Sequence, residues 1–209
     1  MPIKKSEDKE NEPKGEKRIA KREFEDLLIQ LSSPLSTERR WGARDLAEFP
    51  EASSYLLDQL KKENDISVQE VIISSLIKIG DDIAIKGLIN LLKSEDARLR
   101  NAAVEALQNV PEKVSAYIEK LLHDNNSDVR IFTVNILESL RHPNVIKWLI
   151  EVLENDKNIN VCATALDLLA EVGTKEALPA IKKVKERFSD EPYIQFAADL
   201  ALRRIDGGE

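Results

Sequence analysis

The sequence has little of what most enzymes and secreted domains are built from. One cysteine, Cys162, stands among 209 residues, so no internal disulfide is available and an oxidising compartment finds no support. Histidine occurs twice, at His123 and His142, and neither is followed by glutamate, which rules out the paired His-Glu steps of a helical di-iron site. Glycine is scarce at seven residues. No Gly-x-Ser-x-Gly, Gly-x-Gly-x-x-Gly or Gly-x-x-x-x-Gly-Lys-Ser/Thr string occurs, so nucleophile elbows, dinucleotide turns and phosphate loops lack the backbone they need. Aromatic residues are 5% of the chain. An apolar run long enough to span a bilayer is missing, as is a leader with a charged start and an apolar centre, so the expected location is the cytoplasm. Positive charge is also short. Lys and Arg total 31 against 38 Asp and Glu, a formal charge of −7 that repels phosphate backbones and makes nucleic acid an unfavoured partner.

What is present is helix-forming: Leu, Ile, Ala, Lys and Glu dominate, and nothing specifies sheets. Residues 1–22 carry eight basic and five acidic residues with almost nothing apolar, a charge of +3 against −10 for the remainder. That segment is expected to be a flexible charged tail, because it buries too little to offset its ordering entropy, followed by a folded domain over 23–209. The domain is repetitive. Six stretches end alike, starting at Glu38, Val68, Leu99, Val129, Val161 and Ile194, at intervals of 30, 31, 30, 32 and 33 residues. In each, apolar or small residues fall at the start and four, seven, eight and eleven positions on, as Leu99, Ala103, Ala106, Leu107 and Val110 show, which is one stripe of an amphipathic helix. Another apolar-periodic stretch precedes each: residues 24–31, 55–60, 83–92, 114–122, 145–153 and 177–184. Polar turns join the two helices of a unit, and Gly80, Pro111, Pro143 and Gly173 separate the units. A lone helix pair buries too little to be stable, so the pairs must stack.

The turn Asp followed by Val-Arg, small residues and a Leu (Asp128-Val129-Arg130 with Leu137; Leu99-Arg100 with Ala102, Ala103 and Leu107) resembles HEAT-like repeats. A period near 31 is shorter than the roughly 40 residues of common HEAT units and is similar to the short kind first recognised in phycobilisome lyase proteins. The resemblance runs from Phe24 to about Gly208 and implies an all-α fold, a right-handed α-solenoid of about six antiparallel helix pairs of the HEAT or armadillo type. The slot filled by Arg100 and Arg130 holds Gln69, Cys162 and Gln195 in other units, so an Arg-to-Asp ladder would be broken. Scaffolds, chromophore lyase subunits, DNA glycosylases and metal hydroxylases all use this architecture, so function has to be read from the surface.

In such a solenoid the second helices line the inner curve, and offsets two, six and nine of each stripe point away from the core. Down the stack those offsets select a partner-binding face containing Arg40, Arg44, Glu70, Asn101, Glu105, Gln108, Ile131, Asn135, Glu138, Asp167, Phe196 and Arg203. The middle is acidic and the basic residues sit at the ends. This arrangement points to a non-catalytic interaction module or scaffold that holds a protein partner, with a basic segment of that partner steered by charge. No catalytic, cofactor-binding or metal-binding residue is expected, and oligomeric state is open. Phe188, Tyr193, Phe196 and Leu200 near the end form either a self-contained cap or a sticky edge. The resemblance also permits a bilin lyase-type or chaperone-like subunit for an open-chain tetrapyrrole and, more remotely, an alkylpurine DNA glycosylase. The latter would need an exposed aromatic, and Trp41 and Trp148 both read as packing residues.

Overall fold

The computed structural model describes residues 23–207; the expected tail over 1–22 lies outside them. Twelve α-helices and no strand occur among the described residues. They pair in order: α1 (Phe24–Leu31) with α2 (Ser36–Leu46), α3 (Ser53–Leu60) with α4 (Ile66–Ile79), and α5 (Asp82–Leu91) with α6 (Ala97–Gln108). Then come α7 (Pro111–Leu122) with α8 (Ser127–Leu137), α9 (Val145–Asn155) with α10 (Ile159–Val172), and α11 (Leu178–Arg187) with α12 (Pro192–Asp206). The chain is therefore an α-solenoid of six helix pairs.

Local chemistry sets the ends. Four second helices begin on an acidic or amide residue, Asp65, Asp96, Asn126 and Asn158, whose side chain accepts from the N–H two residues on. Each such cap is worth about 1 kcal/mol. These caps start the second helices about two residues ahead of their apolar stripes. Gly80 closes α4 in the left-handed conformation, φ 56°, where a side chain would be strained. Pro111 differs from its expected role as a unit separator. It occupies the first turn of α7, where its missing N–H costs nothing.

The stripes fill one continuous core. In α4, Val68, Ile72, Ser75 and Leu76 are buried, and in α8 the equivalents are Val129, Thr133, Ile136 and Leu137. Thr133 enters that core because its hydroxyl donates to the Val129 carbonyl at 2.7 Å, leaving no unsatisfied polar atom. Offset five supplies the packing between units: Ala43, Ile73, Val134 and Leu166 are buried, Val104 is half-buried, and only Asp199 is exposed. Every second helix packs closely on the next, from α2 through α12, whereas among first helices only α3 with α5 and α9 with α11 make more than marginal contact. The second helices thus form the more closely packed layer, and its exposed side is termed the inner face. No helix among the described residues is long and apolar enough to cross a membrane.

Candidate binding face and turn edge

The inner layer presents four exposed carboxylates in sequence, Glu70 on α4, Glu105 on α6, Glu138 at the end of α8 and Asp167 on α10. Among the described residues none of them forms an ion pair. Asp167 accepts a hydrogen bond from the Tyr193 hydroxyl at 2.8 Å, and that carboxylate pushes the tyrosine's pKa up. Arg44 and Asn101 are exposed, Arg40 is half-buried, and Arg203 is exposed on α12, so the basic groups flank the acidic middle. Phe196 presents 60% of its surface beside them on α12.

Three expected face residues, Gln108, Ile131 and Asn135, are half-buried. The Gln108 amide donates to the Asn135 carbonyl at 2.8 Å, tying α6 to α8, and Ile131 is half-buried against the core. On α10 the small side chains Ala163 and Ala170, at the outward offsets, are buried by neighbouring helices. The open part of the face is thus Arg44, Glu70, Asn101, Glu105, Glu138, Asp167, Phe196 and Arg203.

A second organised region runs along the edge where the two helices of each unit turn. One residue after the start of each of the first five stripes, a side chain reaches back to a turn carbonyl six positions earlier: Arg39 to Ser33, Gln69 to Glu63, Arg100 to Ser94 and Arg130 to Asp124, with the Cys162 thiol pointing at Asp156. Helix spacing alone does not announce this, and Arg39 belongs to the slot beside Arg100 and Arg130. Two of these arginines also cross to the next unit. Arg39 grips Glu63 through both carboxylate oxygens, at 2.7 and 2.8 Å, and Arg130 grips Asp156 at 2.6 and 3.0 Å. Lys93 bridges to Asp124 at 2.7 Å. Where Cys162 breaks the series, Arg187 arrives from α11 and donates to the carbonyls of Leu153, Glu154 and Asp156. The ladder is interrupted at unit two, as Gln69 implies, and repaired from another helix at unit five.

The reactive groups are spent or shielded. Cys162 is fully buried, and burial pushes its thiol up to about 11 against the opposing pull of Arg187. Ellman's reagent is therefore expected to label no thiol in native buffer and one per chain in denaturant; rapid native labelling would contradict this burial. His123 lies at the end of α7, its Nδ1 2.7 Å from the Glu119 carbonyl oxygen and its Nε2 3.3 Å from Glu151. His142 does not end α8; it sits in the following loop and stacks on Trp148 at 4.8 Å. Trp148 is buried and Trp41 half-buried, so neither is an open platform for a base. No group of three or more His, Cys, Asp and Glu is positioned to hold a metal among the described residues.

A row of helix pairs with a shared core and a ladder of turn contacts defines a helical repeat protein. The chain belongs to the HEAT-repeat family, which matches residues 24–108, 53–131 and 114–203. It is similar to the bilin biosynthesis protein PecE of Mastigocladus laminosus, 29% identical over 151 residues, covering 70% of this chain and 56% of that protein. PecE of Nostoc sp. (strain PCC 7120) is 30% identical over 147 residues, covering 68% of this chain and 58% of the relative. The chain thus spans less than two thirds of the length of these relatives. A chain of the solved CpcE–CpcF complex of phycocyanin lyase from Nostoc sp. PCC7120 aligns over 98% of this chain and 100% of its own length, at 20% identity and a TM-score of 0.39.

Proposed function

We propose that this chain is a bilin-handling subunit of the PecE kind, one that acts by binding rather than by converting its ligand. The observation that supports it most is the similarity to bilin biosynthesis proteins over 70% of the chain. The one thiol is buried with a raised pKa, which agrees with a binding role. Biliverdin serves as the probe. Titration with the full chain is expected to give a saturable change in its visible absorbance with an induced circular dichroism band. A spectrum that stays that of the free pigment at every protein concentration contradicts the proposal.

Four exposed carboxylates on the inner face, none in an ion pair among the described residues, favour one further role, the docking of a protein partner through a basic segment. Exchanging Glu105, Glu138 and Asp167 together for lysine is expected to weaken binding of a Lys-rich helical peptide by about tenfold or more at low salt, where such fields are least screened. Fluorescence anisotropy at two ionic strengths measures it. Equal affinities for the two proteins remove this face as the docking surface.

A further inference from the structure

The turn edge is bridged between units one and two by Arg39 and Glu63, between three and four by Lys93 and Asp124, and between four and five by Arg130 and Asp156. Arg187 closes the step from five to six. Between units two and three no hydrogen bond or ion pair crosses this edge among the described residues, because Gln69 in the arginine slot spends its amide on the Glu63 carbonyl of its own unit. A cleft of about 500 Å³ opens there. Its floor is apolar, made by Leu57 and Leu60 of α3 and Leu91 and Leu99 of the next unit. Leu57 lies against Gly87, where any side chain would collide with it, so α5 approaches α3 closely beneath the cleft.

The mouth is polar in a particular way. Lys61 stands on one lip and Arg98 on the other, both well exposed. Among the described residues Lys61 pairs with the exposed Asp58, and Arg98 with the half-buried Asp96 that caps α6; both cations are exposed, and such surface pairs are weak enough to exchange for a ligand's acid group. Glu63 also lines the cleft, but its charge is taken up by Arg39, Gln59 and two backbone N–H groups. The side-chain amides of Asn64 and Asn90 line the same opening and form no hydrogen bond among the described residues. An apolar floor with a few convergent polar groups, at a volume within the usual range of about 300–1,000 Å³, is the ordinary make-up of a small-ligand site.

We propose that this cleft binds an elongated apolar carboxylate, and that its occupant is an open-chain tetrapyrrole. The conjugated body lies on the leucine floor, the propionates reach Lys61 and Arg98, and the ring N–H and lactam groups meet Asn64 and Asn90. The choice of tetrapyrrole rests on the function proposed above; the site itself rests on the cleft. It lies on the turn edge, so the inner face stays free for a protein partner while pigment is held.

The test titrates biliverdin, and separately a fluorescent long-chain fatty acid, into the full chain, the Asn90→Trp variant that roofs the mouth, and the Lys61→Glu/Arg98→Glu variant. Far-ultraviolet circular dichroism checks that each variant keeps its helices. The expected result is that both variants raise the apparent Kd for biliverdin at least tenfold. Wild-type protein that binds biliverdin with an affinity neither cleft variant alters overturns the cleft and leaves the functional proposal standing. Binding of the fatty acid alone, lost in both variants, keeps the cleft as a carboxylate site and overturns the tetrapyrrole as its occupant. Binding of neither probe overturns both.

Discussion

Replacing Arg39 with methionine is expected to lower the unfolding free energy by about 3–5 kcal/mol, the usual cost of removing one partner of a buried ion pair. The Glu63 side chain is 2% exposed, and it accepts from Arg39 twice, from the Gln59 amide at 2.9 Å and from the backbone N–H groups of Asn64 and Asp65. The Arg39 guanidinium is the largest of the influences that hold this carboxyl near 2 instead of its ordinary 4.5, with burial pulling the other way. A carboxyl depressed on folding stabilises the native state fully above its unfolded value. That contribution, on the order of 3 kcal/mol at about 1.4 kcal/mol per pKa unit, is lost as pH falls from about 4.5 toward about 2. Without Arg39, burial acts against the charge with less opposition, so the acid transition moves to higher pH. Urea denaturation of both proteins at pH 7 and pH 4 measures the two effects. The Arg39→Met/Glu63→Gln double variant is expected to recover part of the loss, because it removes the stranded charge. An Arg39→Met midpoint equal to the wild type would mean that the bridge between units one and two contributes nothing.

The second large effect is expected from Trp148→Ala, about 3–5 kcal/mol for emptying a buried indole site. Trp148 is 3% exposed on α9, stacks on His142 and donates from Nε1 to Glu119 at 3.4 Å. It therefore joins α7, the loop before α9 and α9 itself. Solenoid units are held by nearest neighbours, so the damage should be local at first. Hydrogen exchange is expected to quicken in α7 to α10 while α2 and α4 keep their protection, and Trp148→Phe should cost less than the alanine. Uniform loss of protection along the chain would show one cooperative block instead of coupled pairs.

The helix pairs were legible because burial writes a period into the sequence. The stripes at Val68, Leu99 and Val129 fall on helices that start two residues earlier, at Ile66, Ala97 and Ser127, and the caps Asp65, Asp96 and Asn126 that cause the difference are visible in the sequence too. The acidic carboxylates of the inner face were readable from the same offsets. Contacts between units were not. Which side chain reaches Asp156 depends on how α11 is placed, and Arg187 gives no local sign that it fills the gap left by Cys162. Gln108 looked free for the same reason, since only the spacing of α6 and α8 brings its amide to the Asn135 backbone carbonyl. The cleft at units two and three has a sequence trace, Gln69 in an arginine slot, but its volume follows from the approach of α3 to α5.

Whether the chain holds a tetrapyrrole without altering it is answered most directly by mass balance. Biliverdin is bound to saturation, released by denaturing the protein, and identified by chromatography and mass spectrometry. Recovery of unchanged pigment at about one equivalent per chain is the predicted result. Pigment of altered mass or isomeric form, accumulating beyond one equivalent with time, would contradict it and make the chain an enzyme.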